Sequence, residues 1–457
     1  VARFMTSLTL FISWDRWQIV YSLERRIYNG KKNSKVESSE IDLRKLCVDL
    51  HAEGKNPTEI QKVLKRSRQW VYKWLTRAAS ADPEWYVDKS KAPYRTPTKI
   101  DVEVENAIVG SRVKLSKRDT DETRYAFCGA IAIHQELDHL GYKDKPSLST
   151  INRVLKRHGL ISQHDNERKK NDSKKHYPEI AVNHPGHVHQ LDLVTPRYIK
   201  GFGAIISINR IDVFTAQANL EQFKSKAADS VIRFLINDWK AFGIPRYLQL
   251  DNEAAFRGSL YHPKTFGKLS RFCLNFGVEI LFIPFNEPWR NAHIESFNSR
   301  FDKHLWQGQV FTDLEHLRSE AKKFRDKHNL YQEYRKSTFS QQSHRNYTAR
   351  YLPQNFAFEK LWDLPVTRGK IHFVRLVEEA GTINILNEDF HVDRGLSFEY
   401  VWATVDTGRE TLEVYYQPTP KSPRELIASK PYRLRERVKN RIPAKTFCKV
   451  STMSWNT

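Results

Sequence analysis

Residues 187–194 read HVHQLDLV, and the runs GAIISINR (203–210) and DVFTAQANL (212–220) that follow share its character. Each is short, rich in β-forming residues and bounded by turn formers, which predicts three strands joined as a meander. Next, Ala228, Val231, Ile232, Leu235 and Trp239 fall on one face of a helix that Gly243 and Pro245 end. The alternation then resumes. RYLQLD (246–251) reads as a strand, Phe266 to Phe276 as a helix and VEILFI (278–283) as a strand, and PFNEPWRNAHIESFNSR (284–300) opens another helix after Pro284 and Pro288. The order β-β-β-α-β-α-β-α over residues 183–310 predicts an α/β unit in which helices cover both faces of a mixed sheet.

Three carboxylates stand at telling places in this unit. Asp192 lies within or at the end of the first strand, and Asp251 ends the fourth. Ligands collect at the carboxyl ends of sheet strands, and packing explains an acid in a hydrophobic strand poorly. Glu295 belongs to the helix after the last strand. There Ile294, Phe297, Phe301 and Leu305 face the sheet, while Asn291, Glu295, Asn298 and Asp302 share an adjacent polar stripe. Taken singly, each acid is a surface charge or a cap. Together, three convergent carboxylates repel one another and call for a counter-charge, which divalent metal on hard oxygen ligands supplies. Two Mg²⁺ (or Mn²⁺) ions so held would suit in-line displacement at phosphorus. A competing cluster, His184, His187 and His189 in HPGHVHQ, has neither a Cys partner nor helical H-x-x-x-H spacing, and reads as a linker entering the first strand rather than a zinc site.

Asp192 in HVHQLDLVT, Asp251 in LQLDNEAAF and Glu295 in PFNEPWRNAHIESFN resemble the three motifs of the DDE integrase-core superfamily, which includes bacterial insertion-sequence transposases and retroviral integrases. The resemblance implies an RNase H-like core with metal-dependent cleavage at transposon ends, then attack of the freed 3′ hydroxyl on target DNA. It also implies that Asp192 and Asp251 hold the metals, that Glu295 completes the set, and that Asn291 and Asn298 are the polar positions flanking the family's Glu. The chain departs from the pattern in three ways. The interval from Asp251 to Glu295 is long, with RGSLYHPKTFGKLS (257–270) able to hold the excess as a surface loop. Glu253 stands where a Gly is usual, and a left-handed backbone there would strain it. Ser299 and Asp302 replace basic residues of retroviral relatives, leaving Arg300 and Lys303 as near substitutes for DNA contact.

The remaining sequence agrees with a DNA-processing protein. Seventy-five Lys and Arg against 53 Asp and Glu give a net charge of +22, which favours nucleic acid ahead of a membrane surface. The four cysteines are far apart, which fits a reducing cytoplasm, and the resemblance implies a bacterial, nucleoid-associated one. FMTSLTLFISW (4–14) is too short to span a membrane, and residues 1–40 carry no readable domain pattern. Over 41–80, Leu43, Leu46, Cys47 and Leu50 mark a helix that Gly54 ends. A second is capped by Asn56 with Pro57 and Glu59, and a third begins near Ser67. The third turns Val71, Trp74 and Leu75 inward and Arg68, Gln69, Tyr72 and Lys73 outward, the layout of a helix-turn-helix reader of double-stranded DNA. After a Pro- and charge-rich linker (81–100), residues 101–161 repeat the theme. Ala130, Ile133, Leu137 and Leu140 form a stripe, and PSLSTINRVLKRHGL exposes Arg153 and Lys156.

A basic linker (162–182) leads into the α/β core, and a helical extension (311–366) follows it. KIHFVRLV, GTINILN, EDFHVD, EYVWATVD and TLEVYY then predict a small antiparallel β-barrel (367–417), and 418–457 reads as a basic, flexible arm. The sequence expectation is thus a multidomain transposase acting as a homo-multimer on DNA. A DNA-binding regulator that kept the fold, and an RNase H-like nuclease that only hydrolyses, remain open alternatives.

Overall fold

A computed structural model describes residues 34–80, 82–89, 100–161, 175–257, 263–340, 347–357, 364–441 and 449–453. Residues 1–33, most of the linker after Asp88, the basic stretch 162–174 and the middle of the 257–270 loop lie outside these. The chain divides into two compact units, Val1–Lys99 and Ile100–Thr457.

In the first unit, α1 (Ser34–Ala52), α2 (Pro57–Leu64) and α3 (Arg68–Ala78) bury Leu43, Cys47, Leu50, Ile60, Leu64 and Val71 between them. The Asn56 side chain accepts from the backbone N–H groups of Thr58 and Glu59, and Glu59 accepts from the Asn56 N–H at 3.0 Å. Such a cap stabilises by about 1 kcal/mol and fixes where α2 starts. Lys65, at φ +52°, ends α2 in a left-handed residue, so α3 follows after a tight turn capped by Ser67. The Arg44 guanidinium lies 4.1 Å from the centre of the Trp74 ring and donates to Tyr86 O and to Asp88, which fastens the 82–88 segment to the bundle.

The second unit opens with α4 (Val102–Lys117), α5 (Ala130–His139) and α6 (Leu148–Arg157), packed around Ile108, Leu115, Ile133, Leu137, Ile151, Val154 and Leu155. Leu140, expected in the apolar stripe, caps α5 and is exposed.

The core sheet begins with β1 (Val188–Ile199), β2 (Gly203–Asp212), β3 (Ala218–Phe223), β4 (Tyr247–Leu250) and β5 (Glu279–Phe282). Here β1, β2 and β3 form the expected antiparallel meander, and β4 and β5 add to β1 in parallel. Of the stretch read as the third strand, Asp212 ends β2 and residues 213–217 form a turn. The Asp212 carboxylate accepts from the N–H groups of Phe214, Thr215 and Gly186 and so holds the turn closed. On one face α7 (Ala228–Ala241) and α9 (Lys268–Asn275) set Val231, Leu235, Trp239 and Phe272 against Leu191, Ile208, Leu248 and Ile280. On the other, α10 (Ala292–Phe301) and α11 (Leu314–Phe339) set Ile294, Phe297, Phe301 and Phe324 against Ile205, Ile211 and Leu220. A one-turn helix, α8 (Ala254–Arg257), follows β4.

The expected C-terminal barrel does not form. Its strands exist, but β7 (Lys370–Leu376) pairs in parallel with β5, and β10 (Tyr400–Asp406) and β11 (Thr411–Tyr416) continue outward from it. Only β8 (Thr382–Ile385) and β9 (Glu388–His391) stand apart as a hairpin. With β12 (Glu425–Pro431) at its edge, the result is one nine-stranded sheet, ordered β12-β11-β10-β7-β5-β4-β1-β2-β3. Strand β5 carries Ile280, Leu281 and Phe282 and would be a bare hydrophobic edge without cover. Ile371 and Phe373 on β7 extend its apolar layer, with Phe282 stacked on Phe373 at 5.2 Å.

Nor is the basic tail simply a free arm. Glu425–Pro431 forms β12 on the edge of β11, Tyr432 is buried in the core, and β13 (Lys449–Met453) pairs with β6 (Tyr347–Tyr351). Strand β6 falls inside the stretch read as a helical extension, of which α11 is the helical part.

Candidate active site

Strands β1 and β4 run side by side with Gln190 opposite Gln249, the last of their paired positions. Two residues past that pair stand Asp192, still within β1, and Asp251, the first residue after β4, so both acids lie at the same end of the two parallel strands. Over this end of the sheet lies α10, which carries Glu295 in its first turn.

Each acid is fixed differently. Asn298, one turn after Glu295, donates to Asp192 Oδ2 at 2.6 Å, and its own Oδ1 accepts from Asn209 of β2 at 2.8 Å. The Asp251 Oδ1 accepts the Glu253 N–H at 3.1 Å. The apolar residues Ile294, Phe297 and Phe301 are buried against the sheet and set the rotation of α10, which leaves Glu295 half-buried toward the aspartates.

The electrostatics show convergence. Burial, then the charges of Asp251 and Glu295, push the Asp192 carboxyl up to about 7. Burial also raises Asp251, partly offset by the Glu253 N–H, and burial with the charge of Asp251 raises Glu295. The charges of Asp251 and Glu295 thus act on Asp192, and that of Asp251 on Glu295, which gathers negative charge around Asp192. Among the described residues, no three His, Cys, Asp or Glu side chains form a group that could hold a metal ion as they stand. His184, His187 and His189 are likewise no metal cluster: His184 stacks on His187 and His189 lies 3.5 Å from Asp212.

Glu253 is not strained, for it is absent from the positive-φ residues, and Lys226 pairs with it at 2.8 Å. Asn291 is buried and accepts from Gln249 Nε2 at 2.8 Å, so it anchors α10 instead of facing solvent. Arg300 also turns inward. Its guanidinium lies 3.4 Å from the centre of the Phe127 ring and donates to Tyr125 O at 3.1 Å, tying the helices of 101–161 to the core. Lys303 is exposed, on a single π-helical turn (Asp302–Trp306) after α10. In the first unit, Arg68, Gln69, Tyr72 and Lys73 are exposed together on α3, and Arg153 and Lys156 are exposed on α6.

Sequence reading misses Gln190, Gln249 and Arg375. Ile294 N–H, at the open start of α10, donates to Gln190 Oε1 at 3.1 Å, and Gln249 binds Asn291. A signal exists for the first two: Gln-Leu-Asp occurs at 190–192 and again at 249–251, which puts each Gln on the same strand face as its Asp. Arg375, on β7, donates to Asn252 Oδ1 at 2.9 Å and to Ile283 O at 2.9 Å. No sequence pattern connects it to residues so far upstream.

The chain thus carries a trihelical module with a basic outer face and, after it, a mixed sheet with acids at the ends of two strands. Residues 38–84 match a homeodomain-like domain model and residues 276–332 an integrase core domain model. Each match covers a minor part of the chain, and residues 276–332 are what resembles an integrase core. Among solved structures, it is similar to the HTLV-2 integrase catalytic core domain in complex with magnesium, in its dimeric form. Identity is 17%, over 27% of this chain and 71% of that one, at a TM-score of 0.22. It is also similar to the simian T-cell lymphotropic virus intasome in complex with PP2A regulatory subunit B56 gamma, with 12% identity over 67% of this chain and 94% of that one, at a TM-score of 0.27. Scores this low carry no argument about activity. No curated protein matches the chain.

Proposed function

We propose that this protein is a transposase that cleaves DNA at the ends of a mobile element and joins those ends to target DNA. The observation that carries the reading is that Asp192 on β1 and Asp251 just after the adjacent parallel β4 lie at one end of the sheet, where the helix bearing Glu295 is tied to Asp192 through Asn298 and the charges of Asp251 and Glu295 act on Asp192. Their oxygens are hard donors with uncompensated charge, which fits Mg²⁺ or Mn²⁺, and Asp192, Asp251 and Glu295 would hold it. When bound, such metal ions lower the pKa of an attacking water or hydroxyl and stabilise the leaving oxygen. The chain's own part is to bind and orient. Exposed Arg68, Gln69, Tyr72 and Lys73 read the element end, Arg153, Lys156 and Lys303 contact phosphates, and Asn298 orients the Asp192 carboxylate. A multimer on DNA follows from the need to join two ends.

The test is a strand-transfer assay with Mg²⁺ or Mn²⁺ on DNA from the flanks of the coding region. Asp192→Asn, Asp251→Asn and Glu295→Gln should each abolish cleavage and joining while end binding stays near wild type. Substantial cleavage by any one of them removes that residue from the site. Binding without cleavage by the wild type would favour a regulator, and cleavage without joined products a nuclease.

A further inference from the structure

Beyond Asp192, β1 outruns β4 and continues with β2 as a two-stranded ribbon to a tip at residues 200–202. Its inner side is pinned. Ile199 and Ile205 are buried with Leu305 and Phe311, and Arg197 pairs with Asp302 on the π-helical turn. Gly201 and Gly203, at φ +83° and +86°, make the tight reversal, closed by Phe202 N–H donating to Ile199 O at 3.0 Å. Only residues free of a β-carbon take these angles cheaply, so the tip is built, not slack.

The outer side of this ribbon is unusual. Tyr198 is 79% exposed and Phe202 43% exposed, with Lys200 exposed between them. Two aromatic rings on a pinned support contribute little to folding there. Lys224 is exposed at the same end of the sheet, since β3 runs parallel to β1 and ends opposite Ile206. From Asp192 to Tyr198 is roughly 15–20 Å along the strand. Aromatic faces interleaved with cations, a few nucleotides' length from the carboxylates, suit a nucleic acid strand whose bases are unpaired, because each base can stack and each phosphate can meet a cation.

We propose that the β1–β2 tip is a stacking finger for single-stranded DNA at the opened end of the duplex, with Tyr198 and Phe202 receiving bases and Lys200 a phosphate. The proposal rests on the transposase reading for its setting, yet binding alone tests it. The probes are a random-sequence 20-base-pair duplex with two ten-nucleotide dT arms and a blunt duplex of the same sequence, titrated against the full chain by fluorescence anisotropy without metal. Tyr198→Ala/Phe202→Ala should bind the forked probe about tenfold more weakly, with blunt-duplex affinity and melting temperature unchanged, and Tyr198→Trp should restore fork binding. Photo-crosslinking from 5-iodouracil in the arms should map to Tyr198 or Phe202. Equal fork affinity of the double variant and wild type would overturn the proposal, as would a change confined to sedimentation behaviour, which would make the tip a protein contact. A chain that fails to cleave DNA but shows the fork preference would sink the transposase reading and leave the finger standing.

Discussion

Gln190 and Gln249 face one another across β1 and β4, and both reach the start of α10, one through the Ile294 N–H and the other through the Asn291 amide. The first N–H groups of a helix lack intrahelical partners, so Gln190 satisfies an otherwise unmet buried donor. This pair seats the helix that carries Glu295 directly over the two aspartates.

Replacing Gln190 or Gln249 with Ala should therefore lower metal-dependent cleavage by about ten- to a hundredfold, the range for residues that orient ligand-bearing groups. Duplex binding through the first unit should not change. Plasmid nicking rates measured beside anisotropy titrations check this, and parallel losses in both would make the pair merely structural.

Arg375 makes the C-terminal strands part of the same site. Its fork holds Asn252, the residue after Asp251, together with Ile283 O, and Nε donates to Asn384 O at 3.1 Å. Arg375→Met would leave these buried acceptors unmet, at a cost of about 1–3 kcal/mol for each group left dry. Thermal unfolding should show a clear fall in Tm, and Arg375→Lys, which keeps charge but loses the planar fork, should recover only part of it.

The pairing of β5 with β7 gives a second consequence. A chain ending at residue 366 would keep every acid of the candidate site and expose the Ile280, Leu281 and Phe282 edge. Such a fragment should aggregate on expression, whereas one ending at residue 441 should stay soluble. Light scattering of the two separates a sheet extension from an independent barrel.

Much of this arrangement is legible from sequence because it is local. The meander, the helix faces and the Asn56 cap depend on residues a few positions apart, and Asp192, Asp251 and Glu295 stand out as acids in apolar settings. The strands of 370–416 are legible as well, but their partner is not. Alternation says that Ile371, Phe373 and Val401 face a core, while only the uncovered edge of β5, set by the whole sheet order, decides which core. The inward turn of Arg300 is hidden for the same reason: its destination, Phe127, lies in a segment with no sequence link to α10.

In the first unit the exposed set on α3 makes a prediction that salt can read. Arg68 leans on Tyr72, with Nη2 donating to Tyr72 Oη at 3.3 Å, and Lys73 is 4.0 Å from Asp88, so both cations remain at the surface. Arg68→Ala/Lys73→Ala should weaken duplex binding and reduce the slope of log affinity against log salt by about 1 for each phosphate no longer neutralised. An unchanged slope would move the reading surface to α6.

The joint between the helices of 101–161 and α11 should fail in acid. Glu320 is buried on α11. Burial alone would raise its carboxyl, but Lys323 at 2.8 Å, the Tyr125 hydroxyl at 2.6 Å and Arg124 at 3.2 Å donate to it and bring it down to about 2. A carboxyl depressed in the folded state contributes stability that is fully present above its unfolded value near 4.5 and is lost as pH falls toward 2. Wild-type Tm should therefore drop between about pH 5 and pH 2. In Glu320→Gln the stability at pH 7 should be lower but this share of the acid-side drop should vanish, because no proton is taken up at 320. Calorimetric scans across that range check it, and parallel curves for the two proteins would show that the joint draws nothing from the ionised carboxylate.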